Sequence, residues 1–147
     1  MISNVLIAER DCIVTSDLVA TLKNWGYQVL PTAKSTDQAL LCAKRSKPDL
    51  LIMDIGLRGK EDAIGTAAYI HKRYTIPVII LIDWMHDELQ NHLNILGLFY
   101  YVSKPFDPEE LHAMVDLALS SSGAFYQTPV LKRSEKSMRQ HVPIVPV

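Results

Sequence analysis

Hydrophobic positions along the chain fall into two alternating patterns. Val5–Ala8, Leu50–Met53 and Val78–Ile82 are short continuous apolar runs, and Tyr27–Leu30 and Tyr100–Val102 are weaker β-prone runs. Between them lie stretches with helical spacing. Leu18, Leu22 and Trp25 stand at i, i+4 and i+7, and Leu89, Leu93 and Leu96 repeat that spacing. Ile64, Ala67, Ile70 and Tyr74 trace another helix face, as do Leu111, Met114, Val115 and Ala118. Ser35-Thr-Asp-Gln38 reads as a capping box, and Asp107-Pro-Glu-Glu110 as an Asp N-cap followed by Pro at the first helical position. Gly26 and Gly97 follow expected helix ends, and Pro48 and Pro77 precede apolar runs as breakers.

The resulting order is β-α repeated five times within about 119 residues. Continuously apolar strands are buried on both faces, which calls for a parallel sheet flanked by helices. In such sheets ligand chemistry collects outside the carboxyl ends of the strands. Those ends carry Glu9-Arg10-Asp11, Asp54-Ile55-Gly56, Asp83 and Ser103-Lys104-Pro105. After Leu119 the pattern stops: Ser120-Ser-Ser-Gly123 has linker composition, and Pro129, Pro143 and Pro146 follow without a sustained period. The expected organisation is a domain over residues 1–119 and a flexible linker or tail over 120–147.

Composition changes this picture in one respect. The formal net charge is −1, but residues 1–119 carry 11 basic and 15 acidic side chains while the tail carries four basic side chains and one acid. An acidic domain with a basic tail gives no argument for a nucleic-acid or membrane partner. The apolar runs fall far short of the ~18 residues of a membrane span. Cys12 and Cys42 make neither a disulfide framework nor a zinc cage and are expected as buried small hydrophobes, and the five histidines show no metal-ligand pairing. With no basic leader ahead of the first apolar run, a reducing, cytoplasmic setting is expected. Of the aromatic residues near the sheet end, Phe99 and Tyr100 are expected in the core and Trp84 partly exposed.

A carboxylate closing one strand, acids after another and a lysine after a third suit phosphoryl transfer to the carboxylate, a reaction of positioning and charge neutralisation. The stretches Val5–Asp11, Trp25–Val29, Pro48–Leu57, Ile76–Ile80 and Tyr101–Phe106 together resemble the receiver domains of two-component response regulators. The resemblance covers residues about 4–119. It implies a flavodoxin-like, doubly wound (βα)5 fold with a five-stranded parallel sheet in the order 2-1-3-4-5. It further implies that Asp54 is the phosphoacceptor, that Lys104 contacts the phosphate, that the bond to Pro105 is cis, and that Ile82 and Tyr101 hold the switch positions. A Mg²⁺ site would use Glu9, Asp54 and the carbonyl of Gly56. The implied partners are a histidine kinase or phosphotransfer protein, with a homodimer through the face of the fourth helix, fifth strand and fifth helix. The implied role is regulatory rather than enzymatic.

Two positions depart from the family. Arg10 stands where a second acid would bind metal, and a guanidinium cannot ligate a cation. Arg10 therefore weakens or abolishes the Mg²⁺ site; an Arg10–Asp54 or Arg10–Asp83 ion pair in its place is one expectation, and an arginine that swings out to solvent and leaves Asp11 to help with metal is the other. Ile82 replaces a hydroxyl residue and removes the group that would bond a phosphoryl oxygen. Asp83 is an extra carboxylate, either a counter-charge for Arg10 or a helix N-cap. The alternative to a working phosphoacceptor is thus a pseudo-receiver, in which Arg10 replaces the metal and the domain binds partners without phosphate. An enzyme on the same fold is disfavoured. The first strand-helix loop lacks the Thr/Ser/Gly-rich cradle for flavin mononucleotide, and no Asp-x-Asp follows from Asp54.

Overall fold

The computed structural model describes residues 2–83 and 100–120. The helix expected around Leu89–Leu96, the residues Trp84, His86, His92 and Phe99, and the tail after Ser120 lie outside the described residues. The chain runs β1 (Asn4–Ala8), α1 (Cys12–Asn24), β2 (Gln28–Val29), α2 (Thr36–Ser46), β3 (Leu50–Asp54), α3 (Ala63–Tyr74), β4 (Val78–Asp83), β5 (Tyr100–Lys104) and a C-terminal helix, Pro108–Ser120. All five strands are parallel, in the order β2-β1-β3-β4-β5. This is the doubly wound arrangement expected from the alternation of apolar runs and helical stretches.

Period-2 alternation within the strands divides the core into two layers. Leu6, Ala8, Leu51, Met53, Ile80, Ile82 and Tyr101 share one buried cluster with Ala39, Ala43, Ala67 and Ile70 of α2 and α3. Val5, Ile7, Leu50, Ile52, Leu81, Tyr100 and Val102 share the other with Leu18 and Leu22 of α1 and Leu111, Met114 and Val115 of the C-terminal helix. Tyr100 is fully buried, as its β-prone surroundings predict. β2 is shorter than expected. It pairs with β1 only at Asn4↔Gln28 and Val5↔Val29, because the chain then leaves the edge and returns for one bridge, Ala8↔Ala33.

The helix starts follow the sequence signals. The Asp11 carboxylate accepts the Ile13 and Val14 N–H groups at 2.8 and 3.2 Å and caps α1. Ser35 accepts from the Gln38 amide at 3.1 Å, while Gln38 reaches back to the Lys34 N–H at 2.7 Å, one residue earlier than a capping box requires. Asp107 caps the C-terminal helix through the Glu109 amide, 3.2 Å away. Cys12 corrects an expectation. It is exposed rather than buried, since the first residue of α1 points away from the sheet; Cys42 is half-buried.

The C-terminal helix is also fastened to the α1–β2 turn. The Trp25 and His112 rings stack with centroids 4.2 Å apart, and Tyr27 donates its hydroxyl to Asp116 at 3.2 Å. Burial first, then the Asp116 charge and its hydrogen bond, hold the Tyr27 phenol above its ordinary pKa of 10.0. Among the described residues no helix is long and apolar enough to cross a membrane.

Candidate functional site at the carboxyl edge of the sheet

Three strand ends deliver three charged side chains to one place. Asp54 is the last residue of β3, Glu9 directly follows β1, and Lys104 is the last residue of β5. β4 separates β3 from β5, so Lys104 sits two strands, or roughly 10 Å, from Asp54. A lysine stem spans that gap. Its Nζ lies 3.0 Å from Asp54 Oδ1 and 3.4 Å from Glu9 Oε1. Burial pulls the ammonium's pKa down. The hydrogen bond and charge of Asp54, with those of Glu9, more than reverse this and hold it above its ordinary 10.5.

Glu9 is 2% exposed and tightly held. Its Oε2 accepts the Asp11 N–H at 3.0 Å, its own amide donates to the Ala33 carbonyl at 3.0 Å, and its carbonyl accepts the Thr15 hydroxyl at 3.3 Å. The Asp54 carboxylate is used asymmetrically. Lys104 pins Oδ1, whereas Oδ2 has no hydrogen-bond partner among the described residues. Oδ2 lies over Gly56, where an added Cβ would stand 3.3 Å from it. Gly56 thus leaves room beside the oxygen that remains open. The Asp54–Leu57 turn is closed by the Leu57 amide on the Asp54 carbonyl at 3.1 Å, with the Leu57 side chain buried beneath it.

The remaining positions singled out in the sequence divide. Pro105 follows a cis Lys104–Pro105 bond. Ile82 is fully buried one residue before Asp83, which pairs in register with Lys104. Tyr101 is 6% exposed and belongs to the same buried cluster as Ile82, so its burial does not depend on a hydroxyl at position 82. Arg10 is exposed, and among the described residues its side chain makes no ion pair with Asp54 or Asp83. This corrects the expected arginine–carboxylate pair. The position beside Asp54 is taken by the Lys104 ammonium, and solvating a guanidinium at the loop tip avoids the cost of burying it.

Of the carboxylates at this edge, Asp54 keeps one oxygen, Oδ2, open toward a cation among the described residues. Mg²⁺ requires near-octahedral oxygens, with one or two carboxylates free to serve. Glu9 is engaged at both oxygens and Asp11 caps α1. Among the described residues no three His, Cys, Asp or Glu side chains gather as a metal site.

Sequence reasoning missed Thr36 and Gly59. Thr36 is 1% exposed, and its amide and hydroxyl donate to the carbonyls of Arg58 and Glu61 at 2.8 and 2.9 Å. A Cβ on Gly59 would overlap the Thr36 hydroxyl. The only sequence signal was a glycine inside the loop that follows Asp54.

Residues 5–116 match the family model of the response regulator receiver domain. The transcriptional regulatory protein PdtaR of Mycobacterium tuberculosis is 31% identical over 116 residues, covering 79% of this chain and 56% of that protein. The alkaline phosphatase synthesis transcriptional regulatory protein PhoP of Bacillus subtilis is 28% identical over 136 residues, covering 92% of this chain and 56% of that protein. The chain therefore spans little more than half the length of these relatives. The signal receiver domain of a modulated diguanylate cyclase from Desulfovibrio desulfuricans superposes with a TM-score of 0.75 at 27% identity, covering 83% of this chain and 97% of that one. The receiver domain of the PhyR response regulator from Erythrobacter litoralis gives 0.68 at 26%, covering 80% and 90%.

Proposed function

Because the chain belongs to the response regulator receiver domain family, we propose that Asp54 accepts a phosphoryl group from the phosphohistidine of a histidine kinase or phosphotransfer protein. The domain then acts as a regulatory module of a two-component pathway rather than as an enzyme. The observation that carries this reading is the divided Asp54 carboxylate, with Oδ1 held 3.0 Å from Lys104 Nζ and Oδ2 open above Gly56. Oδ2 attacks phosphorus, the P–N bond to the donor imidazole breaks, and the leaving imidazole nitrogen takes a proton from solvent. Lys104 stays on the acceptor side and offsets the negative charge that arrives with the phosphoryl group. Arg10 points to solvent and leaves Oδ2 accessible.

Metal dependence is weak in this account, because Glu9 is engaged by Lys104 and a backbone amide and Asp11 caps α1, which leaves Asp54 Oδ2 as the one open carboxylate oxygen among these three. The output passes through β5 and the C-terminal helix, the described part of the face expected to bind partners. A second reading is favoured by one observation. Ile82 is apolar and fully buried while Tyr101 is already buried, so the hydroxyl relay to the phosphate is missing. In that reading the domain is a phosphorylation-independent interaction module. Adding acetyl phosphate or beryllofluoride, with and without Mg²⁺, separates the two. The phosphoacceptor reading expects amide shift changes over Asp54–Gly59 that Asp54→Asn abolishes; no response sustains the interaction module.

A further inference from the structure

We infer that Thr36 is a positioning residue for the turn that carries Asp54, an inference that deepens the phosphoacceptor reading and rests on it for its catalytic consequence. Thr36 opens α2, and the first amides of a helix have no partner within it. Here that amide donates to the Arg58 carbonyl at 2.8 Å, and the hydroxyl donates to the Glu61 carbonyl at 2.9 Å. Both bonds cross from α2 to the loop between β3 and α3. Gly59 lies between these two anchor points and has no room for a Cβ against the Thr36 hydroxyl. The loop is thus clasped at one end by Thr36 and at the other by the buried Leu57.

The clasp also reaches the second acid of the site. Ala33, three residues before Thr36, accepts the Glu9 amide at 3.0 Å and donates to the Ile7 carbonyl at 2.9 Å. Lys34 and Ser35 are fixed between them by the Gln38 side chain and the Ser35–Gln38 cap. Residues 33–36 therefore form a strut with Glu9 at one end and the loop after Asp54 at the other. Its hydroxyl holds the loop in the position where Gly56 clears Asp54 Oδ2. Releasing Glu61 loosens the loop that runs on from Gly56, and with it the turn beside that oxygen, which slows attack without removing any group that touches the phosphoryl donor.

The test compares the full chain with Thr36→Val, which keeps the shape and loses the hydroxyl, and Thr36→Ser, which keeps the hydroxyl. Two readouts are taken: the rate of Asp54 phosphorylation by phosphoramidate over a range of donor concentrations, and hydrogen exchange at the Thr36, Ile55 and Leu57 amides. Thr36→Val is expected to lower the limiting rate about tenfold with the half-saturating donor concentration unchanged, and to speed exchange at these amides by a similar factor, as for one lost buried hydrogen bond. Thr36→Ser is expected to restore both to within about twofold. Wild-type rate and exchange in Thr36→Val overturn the inference. So does faster exchange spread evenly over all the strands, which marks a general loss of stability, and so does a Thr36→Ser variant as impaired as Thr36→Val. If the unmodified chain takes up no phosphoryl group, the phosphoacceptor reading fails, and the exchange data alone decide whether the clasp holds the turn.

Discussion

Replacing Lys104 by methionine keeps most of the stem and removes the ammonium from between two carboxylates. At 3.0 and 3.4 Å, and an effective dielectric constant of about 20, each attraction is worth about 5 kcal/mol before desolvation is counted. Desolvation of Glu9, 2% exposed, and partial burial of Lys104 offset most of this. The expected net loss is about 2–3 kcal/mol, because the substitution leaves Glu9 buried beside Asp54 without a cation. In a Glu9→Gln background that penalty is smaller, and the same substitution costs about 1 kcal/mol. The coupling between positions 9 and 104 is then about 1–2 kcal/mol. Urea unfolding of the four chains at pH 7, followed by circular dichroism, measures it. Screening hardly reaches a buried pair, so the coupling persists at about 0.5 M salt. Effects additive within about 0.5 kcal/mol, or a coupling that salt abolishes, refute the reasoning. The pH dependence has a fixed sign. The folded pKa of Lys104 is raised, so its contribution is complete below 10.5 and is lost as pH rises through the folded value.

Other outcomes follow from the same geometry. Asp116→Asn keeps an acceptor oxygen but removes the charge that helps hold the Tyr27 phenol above 10.0, so one tyrosine should ionise earlier in an absorbance titration; an unchanged curve, or the same change in a Tyr27→Phe background, contradicts the assignment. Ile82→Thr buries a hydroxyl without a phosphoryl acceptor and should cost about 1–2 kcal/mol, part of which returns after acetyl phosphate treatment; an equal loss in both states means that position 82 does not sense the phosphate. Arg10→Asp adds a free carboxylate at the loop tip and should tighten Mg²⁺ binding at least about tenfold in an amide-shift titration, whereas a wild-type chain that binds Mg²⁺ as well as the variant shows that the engaged carboxylates do ligate.

The fold was legible because its information is periodic. Val5–Ala8, Leu50–Met53 and Val78–Ile82 read as strands buried on both faces, and the alternation that sends Tyr100 and Tyr101 to opposite layers is fixed by the pleat. The convergence of Glu9, Asp54 and Lys104 was legible as well, since a parallel sheet brings its carboxyl ends to one edge. Arg10 and Cys12 were harder to place. Both lie where a strand hands over to a helix, and there the direction of a side chain follows from what its neighbours occupy. Glu9 turns inward to Lys104 and Asp11 turns onto α1, which leaves Arg10 outside. The Thr36 clasp had no periodic signature, because its partners are 22 and 25 residues away and are backbone carbonyls that every sequence possesses.

Uptake of a phosphoryl group by Asp54 is read most directly by intact-mass measurement after incubation with phosphoramidate. One added phosphoryl group per chain is expected, little changed by removing divalent metal with a chelator and absent in Asp54→Asn. No added mass, or an adduct that survives Asp54→Asn, contradicts it.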